Sequence, residues 1–144
     1  YSELDNGTYR LEGSFNHYAY GTPASFIYSD ILGIKSDEAA PGYKHILLEP
    51  HTSDMLSFAK GSYESIYGTI YSSYEKTENG YSYRFELPAN TTATLTLPLL
   101  PDGFYYLLDD KPVEQVTDII CHGVSGNQVS FELSSGSYCF TTSD

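Results

Sequence analysis

The sequence predicts a mainly β protein: an antiparallel two-sheet β-sandwich preceded by a short helical segment. Two patterns carry this expectation. From about residue 42 onward, apolar residues recur with period two in short runs separated by Gly, Asn, Asp and Pro, as half-buried strands require. Before that point, residues 14–34 space their apolar side chains as a helix does.

The helical segment has two expected starts. Ser14 suits an N-cap, and Thr22 followed by Pro23 suits a second start with proline in the first turn, so the stretch reads as two short helices or one kinked helix. Phe26, Ile27, Ile31 and Ile34 fall on one apolar face, and Gly33 suits a helix C-terminus. A helix this short is marginal in water and must pack on something. Lys35 to Tyr43 follows as a polar, turn-rich connector, which puts the expected boundary between a helical remnant with its linker, 1–41, and a sandwich, 42–144.

The expected strands come in order. His45 to Glu49 is a short apolar run stopped by Pro50, and Ile66 to Glu75 is rich in β-branched and aromatic residues. Glu78-Asn79-Gly80 is a hairpin turn, after which Tyr81, Tyr83, Phe85 and Leu87 alternate with Ser82, Arg84 and Glu86. Ala93, Leu95 and Leu97 alternate with threonines. Phe104 to Leu108 and Pro112 to Val116 flank an Asp109-Asp110-Lys111 turn, and Val129 to Leu133 and Ser137 to Thr141 flank a Ser134-Ser135-Gly136 turn. Seven or eight short antiparallel strands at this spacing make a sandwich the natural architecture.

Composition narrows the function. The chain has 144 residues, 7 Lys plus Arg against 19 Asp plus Glu, and a formal net charge of -12. That balance disfavours nucleic acid and anionic membranes as partners, because both need clustered cations. No apolar run approaches the ~20 residues of a membrane span, so a soluble chain is expected, in either the cytoplasm or the periplasm of a bacterium. A start at Tyr1 without a leader-like stretch reads as a processed or excised segment. There are 15 Tyr and 7 Phe but no Trp, a bias that strand packing explains and that also suits stacking on sugars. Cys121 and Cys139 either pair across C-terminal strands or stay free.

No nucleophile elbow, phosphate loop or His-Glu-x-x-His motif occurs, and His45 and His51 lack a third metal ligand; neither metal nor cofactor is expected. His17, within Phe15-Asn16-His17-Tyr18-Ala19-Tyr20-Gly21, has two readings: a buried histidine that fixes helix packing, or one that faces a polar ligand. Glu3, Asp5 and Glu12 lie upstream in a polar stretch, where solvated loop carboxylates are the ordinary reading and a role in glycoside hydrolysis the alternative.

Four blocks in this order resemble the C-terminal part of the α-L-rhamnosidases of glycoside hydrolase family 78: Gly13-Ser-Phe-Asn-His-Tyr-Ala-Tyr-Gly21, Gly33-Ile-Lys-Ser-Asp-Glu-Ala-Ala-Pro-Gly-Tyr-Lys-His-Ile46, Ser62-Tyr-Glu-Ser-Ile-Tyr-Gly-Thr-Ile70 and Leu87-Pro-Ala-Asn-Thr-Thr-Ala-Thr-Leu-Thr-Leu-Pro98. The resemblance implies that residues 1 to about 35 end an (α/α)6-barrel catalytic domain and that the rest is the family's C-terminal sandwich. It implies an inverting exo-glycosidase that removes terminal α-L-rhamnose with a carboxylic acid and a carboxylate base. His17 matches a histidine of the rhamnose pocket, with Asn16 and Tyr18 as its neighbours.

The family's general base stands in a Trp-Glu motif shortly before that block. This chain has no Trp, so both catalytic carboxylates are expected upstream, and Glu3 is the sole residue here that competes for the base role. The chain alone is then expected to be inactive, a part of a rhamnosidase whose partners are the upstream barrel and a rhamnose-ended carbohydrate. Self-association through exposed Phe15, Tyr18, Phe26 and Ile27 is a further expectation. The alternative reading is a carbohydrate-binding or purely structural accessory sandwich.

Overall fold

The computed structural model describes residues 17–144, together with Gly7 and the backbone of Ser2–Glu3 and Tyr9–Arg10. The strands are β1 Ser2–Glu3, β2 Tyr9–Arg10, β3 Ile34–Ser36, β4 His45–Leu48, β5 Phe58–Ser65 and β6 Gly68–Thr77. They continue with β7 Gly80–Pro98, β8 Tyr105–Leu108, β9 Lys111–Pro112, β10 Ile120–Ser125 and β11 Gln128–Ser143. β1 and β2 pair only with each other, while the other nine form one continuous hydrogen-bonded ladder.

That ladder is a sandwich because its two long central strands belong to both layers. The first half of β7 pairs with β6 (Tyr71 opposite Glu86, Tyr74 opposite Tyr83), and its second half pairs with β4 (Ile46 with Ala93, Leu48 with Leu95). β11 follows β7 along its whole length and shifts register between Ser134, opposite Thr92, and Gly136, opposite Leu87. Four β7 residues, 88–91, thus face the single residue Ser135. Pro88 brings no N–H to the ladder, Asn90 takes the left-handed conformation (φ 62°), and Thr91 Oγ1 donates to Pro88 O at 2.7 Å, so the strand turns a corner there. One layer runs β5–β6–β7–β11–β8–β9 and the other β3–β4–β7–β11–β10.

The core lies between the layers. Tyr83, Phe85 and Phe140 from one face Leu95, Leu97, Phe131 and Leu133 from the other, and all are buried. Phe131 and Phe140, on opposite sides of the β11 bend, bring their ring centroids within 5.4 Å, and Phe85 meets Phe140 edge-on at 6.4 Å. Burying each such side chain contributes roughly 1.5–3 kcal/mol.

The sandwich expected from the sequence is present, with several differences of detail. Tyr81–Leu87 and Ala93–Leu97 are one bent strand, and so are the runs on either side of Ser134-Ser135-Gly136, which is a bulge and not a hairpin. Pro112–Val116 is only the short β9 followed by a 3-10 turn over Val113–Gln115. β4 joins β7 in parallel, in a sheet otherwise antiparallel. Ile34, expected on a helical face, is buried in β3 and pairs with Leu48, so the sheet begins at the last residue read as helical and runs into the connector. The Glu78-Asn79 and Asp109-Asp110 turns are as expected; positive φ at both aspartates (48° and 64°) gives the turn that suits a two-residue hairpin. Cys121 and Cys139 are both free thiols, on β10 and β11.

Core tyrosines make stability sensitive to alkali. Burial pushes the Tyr83 hydroxyl up from 10.0 to about 12, and burial raises Tyr106 as well. Above pH 10 the unfolded chain releases a proton that folded Tyr83 keeps, so the contribution is full below that pH and is lost as pH rises through about 12. Denaturant titrations should show a fall of up to about 2–3 kcal/mol over that window, and a smaller fall in Tyr83→Phe.

Candidate functional site

The segment that carries the sequence-predicted site is helical but irregular. It runs from a 3-10 turn, Tyr18–Gly21, through the short helix α1, Thr22–Phe26, into a π-turn, Ile27–Ile31. Pro23 sits in the first turn of α1 as expected. The last turn widens because Leu32 N–H donates to Ile27 O at 2.9 Å, one residue beyond helical spacing.

Its C-terminal end is fastened to the sandwich. Leu32 is buried, and Ser72 Oγ, itself fully buried on β6, donates to Leu32 O at 2.7 Å. Gly33 takes φ +69°, and a Cβ there would stand 2.1 Å from the carbonyl carbon of Glu49 and 2.3 Å from Pro50 N. Glu49 N–H donates to Gly33 O, His51 N–H donates to Asp30 O, and Lys35 pairs with Glu49 at 2.7 Å. The expected C-terminal glycine is therefore also a point where bare backbone crosses bare backbone.

The N-terminal end presents aromatic side chains to solvent. His17 caps the 3-10 turn, its Nδ1 accepting from Ala19 N–H at 3.4 Å. Its ring stacks on Tyr18 (5.8 Å, 23°) and meets Tyr20 edge-on (6.2 Å, 73°). Tyr18 and Tyr20 are 89% and 88% exposed and His17 is exposed, so the histidine is not packed into this chain's interior. Phe26 and Ile27, expected on one apolar face and exposed in this chain by itself, are exposed, while Ile31 packs against the core. Asn16, Ser14, Phe15, Asp5 and Glu12 lie outside the described residues. Glu3 is described only as backbone, opposite Tyr9 in the β1–β2 pair.

Beside the segment lies a cleft of about 530 Å³ between the π-turn and β5, lined by Ser25, Tyr28, Ser29, Tyr43, Tyr63 and Glu64. Tyr43 and Tyr63 rings are 4.6 Å apart, and Tyr28 meets Tyr63 edge-on at 6.2 Å. Burial, then a hydrogen bond with Tyr63, pushes Tyr43 up to about 12. Sequence reading missed this cluster because its members come from a helix, a connector and a strand without alternation. The two histidines weighed as a metal pair go separate ways: His45 bonds Thr92 and Thr94 at 2.7 and 2.9 Å, and His51 bonds Asp30 O. No cluster of three metal-ligating side chains occurs among the described residues. Nor is any helix there long and apolar enough to cross a membrane.

A corner-turning β-sandwich with a helical segment clamped to one edge defines the class: a mainly β domain of the sandwich type. Residues 33–103 match the family described as the bacterial α-L-rhamnosidase C-terminal domain, which bears out the resemblance read in the sequence. An α-L-rhamnosidase of Streptomyces avermitilis is 29% identical over 130 residues, 89% of this chain and 11% of that protein. Another, from an Alteromonas species, is 36% identical over 85 residues, 59% of this chain and 9% of that protein. The solved α-L-rhamnosidase from Dictyoglumus thermophilum superposes with a TM-score of 0.75 at 28% identity, over 90% of this chain and 14% of that one. The Streptomyces avermitilis enzyme, solved with L-rhamnose, gives 0.72 at 25% identity, over 97% of this chain and 13% of that one. The chain thus spans only about a tenth of the length of the curated relatives it matches.

The clamp at Gly33 is testable. Gly33→Ala should lower stability by more than about 2 kcal/mol, since it adds both a backbone clash and an unfavourable φ. Urea denaturation measures it, with Gly21→Ala, where a Cβ meets nothing within 4 Å, as the neutral control.

Proposed function

We propose that this chain is the C-terminal part of an inverting α-L-rhamnosidase in which the sandwich braces an upstream catalytic barrel and the segment around His17 forms one wall of the rhamnose pocket. The observation that carries this reading is the contrast within one short segment. Its end at Leu32–Gly33 is locked to the sandwich by backbone and buried side chains, while its beginning holds His17, Tyr18 and Tyr20 out in solvent. An exposed aromatic and imidazole cluster that packs on no core residue among the described residues is suited to complete a site built by another part of the same polypeptide. Exposed Phe26 and Ile27 extend the same surface and give the upstream domain an apolar seat.

The chemistry of the cluster fits a sugar. Tyr18 and Tyr20 offer ring faces for the apolar side of a deoxyhexose. His17 uses Nδ1 as an acceptor for Ala19 N–H, which leaves Nε2 to donate to a hydroxyl in the neutral ring. Asn16 is placed next to it by sequence. The acid and base of the hydrolysis come from upstream segments in this reading, and Glu3 takes no catalytic part. A charge of -12 disfavours a nucleic-acid partner.

Two measurements test the proposal. The purified chain should give no turnover of p-nitrophenyl α-L-rhamnoside; activity that Glu3→Gln abolishes would restore Glu3 as the base. In the full-length enzyme, His17→Ala should lower kcat/KM by about ten- to a hundredfold, as loss of one buried hydrogen bond to substrate does. Unchanged kinetics would reduce His17 to a helix cap.

A further inference from the structure

The outer face of the β5–β6–β7–β11 layer carries a furrow of about 490 Å³ that neither the core nor the helical segment uses. Strand register sets its floor. Lys60 stands opposite Ser73, Ser73 opposite Arg84, and Arg84 opposite Cys139, so these side chains form one transverse row across four strands. Because facing residues share a side of the sheet, and Tyr74, Tyr83 and Phe85 point into the core, the row points outward. The neighbouring rows add Tyr71 on one side and Phe58 opposite Glu75 on the other. The helical segment packs on the reverse side of β5, where Leu32 sits against Gly61, and leaves this face clear.

Three features point to a ligand. Two of only 7 Lys and Arg in a chain of net charge -12 share this row. Lys60 has no ion-pair partner among the described residues, and Arg84 holds only Glu86, at 3.0 Å on its own strand, in an exposed pair. Phe58, 59% exposed on the edge strand, and half-buried Tyr71 supply ring faces on either side of the cations, and Ser73 and Ser82 supply hydroxyls between them. The volume falls within the range of small-ligand clefts.

We propose that this furrow binds an acidic sugar, a uronate residue of a carbohydrate chain, with its carboxylate on Arg84 and Lys60 and its ring against Tyr71 or Phe58. A guanidinium and an ammonium on one row suit a carboxylate, and the flanking rings and hydroxyls select a pyranose over a bare anion. The inference rests on the rhamnosidase reading for the choice of carbohydrate as ligand. It adds a second sugar contact, on a face other than the one that carries His17.

Titration of the chain with methyl β-D-glucuronide and methyl β-D-glucoside, which differ only in the carboxylate, tests it. The glucuronide should bind with a millimolar constant at low salt, at least about tenfold tighter than the glucoside, and Arg84→Ala should remove that difference. Glu86→Gln, which frees Arg84, should tighten binding. In a Cys121→Ser background the glucuronide should slow alkylation of Cys139, whose thiol lines the furrow. Equal binding of the two sugars, no effect of Arg84→Ala, or inorganic phosphate binding as tightly as the glucuronide would each overturn the proposal. Glucuronide binding is read on this chain alone and rhamnoside turnover on the full-length enzyme, so a failure of this inference is distinguishable from a failure of the rhamnosidase reading.

Discussion

Two long strands, β7 and β11, run side by side through both layers of the sandwich, and every other strand of the main sheet is placed by its position relative to their shared corner. The corner exists because four residues of β7, Pro88 to Thr91, oppose one residue of β11. Alternation survives it: Tyr83, Phe85 and Leu87 before the bend and Ala93, Leu95 and Leu97 after it all face the same core. A slip of one residue on either side would turn one layer's apolar set to solvent, so the bulge fixes the register of both sheets together. The contact of Phe131 with Phe140 is the packing counterpart of that covalent link, since it joins the two halves of β11 across the core.

The edge nearest the N-terminus depends on the same corner. β4 adds to the second half of β7 in parallel, and β3 adds to β4. That brings Gly33 across Glu49–Pro50 and Leu32 beneath β5 and β6, where buried Ser72 holds its carbonyl. The end of the helical segment at Leu32–Gly33 is therefore an extension of the sandwich. Such an arrangement suits a domain whose task is to hold one short segment still against a larger partner.

The two faces of the β5–β6–β7 layer divide the labour. The inner face closes over the core and receives Leu32, whereas the outer face keeps Lys60 and Arg84 in a row. Both arise from one period-two sequence, in which Tyr83 and Phe85 alternate with Ser82, Arg84 and Glu86. The polar half of that alternation is ordinarily only a solvated surface; here edge strand β5 adds Lys60 and Phe58 to it and gives it a shape.

By itself the sequence determined the sandwich class, the two hairpin turns at Glu78-Asn79 and Asp109-Asp110, and the glycine that ends the helical segment. Each is a local signal: alternation reports which side chains are buried, and turn residues report which backbone angles are available. It also carried the blocks that resemble α-L-rhamnosidases, including the one around His17. The tertiary structure alone decided that four expected strands are two bent ones, that β4 lies parallel to β7, and that Ile34 starts the sheet. Edge strand β10, exposed along its length, and β5, whose half-buried residues are the small Ala59, Gly61 and Ser65, were not legible because neither offers large apolar residues in alternation. The tyrosine cleft and the Lys60–Arg84 row were hidden for a related reason. Periodicity records the face on which a residue lies, whereas the neighbours it meets there depend on pairing between strands far apart in the chain.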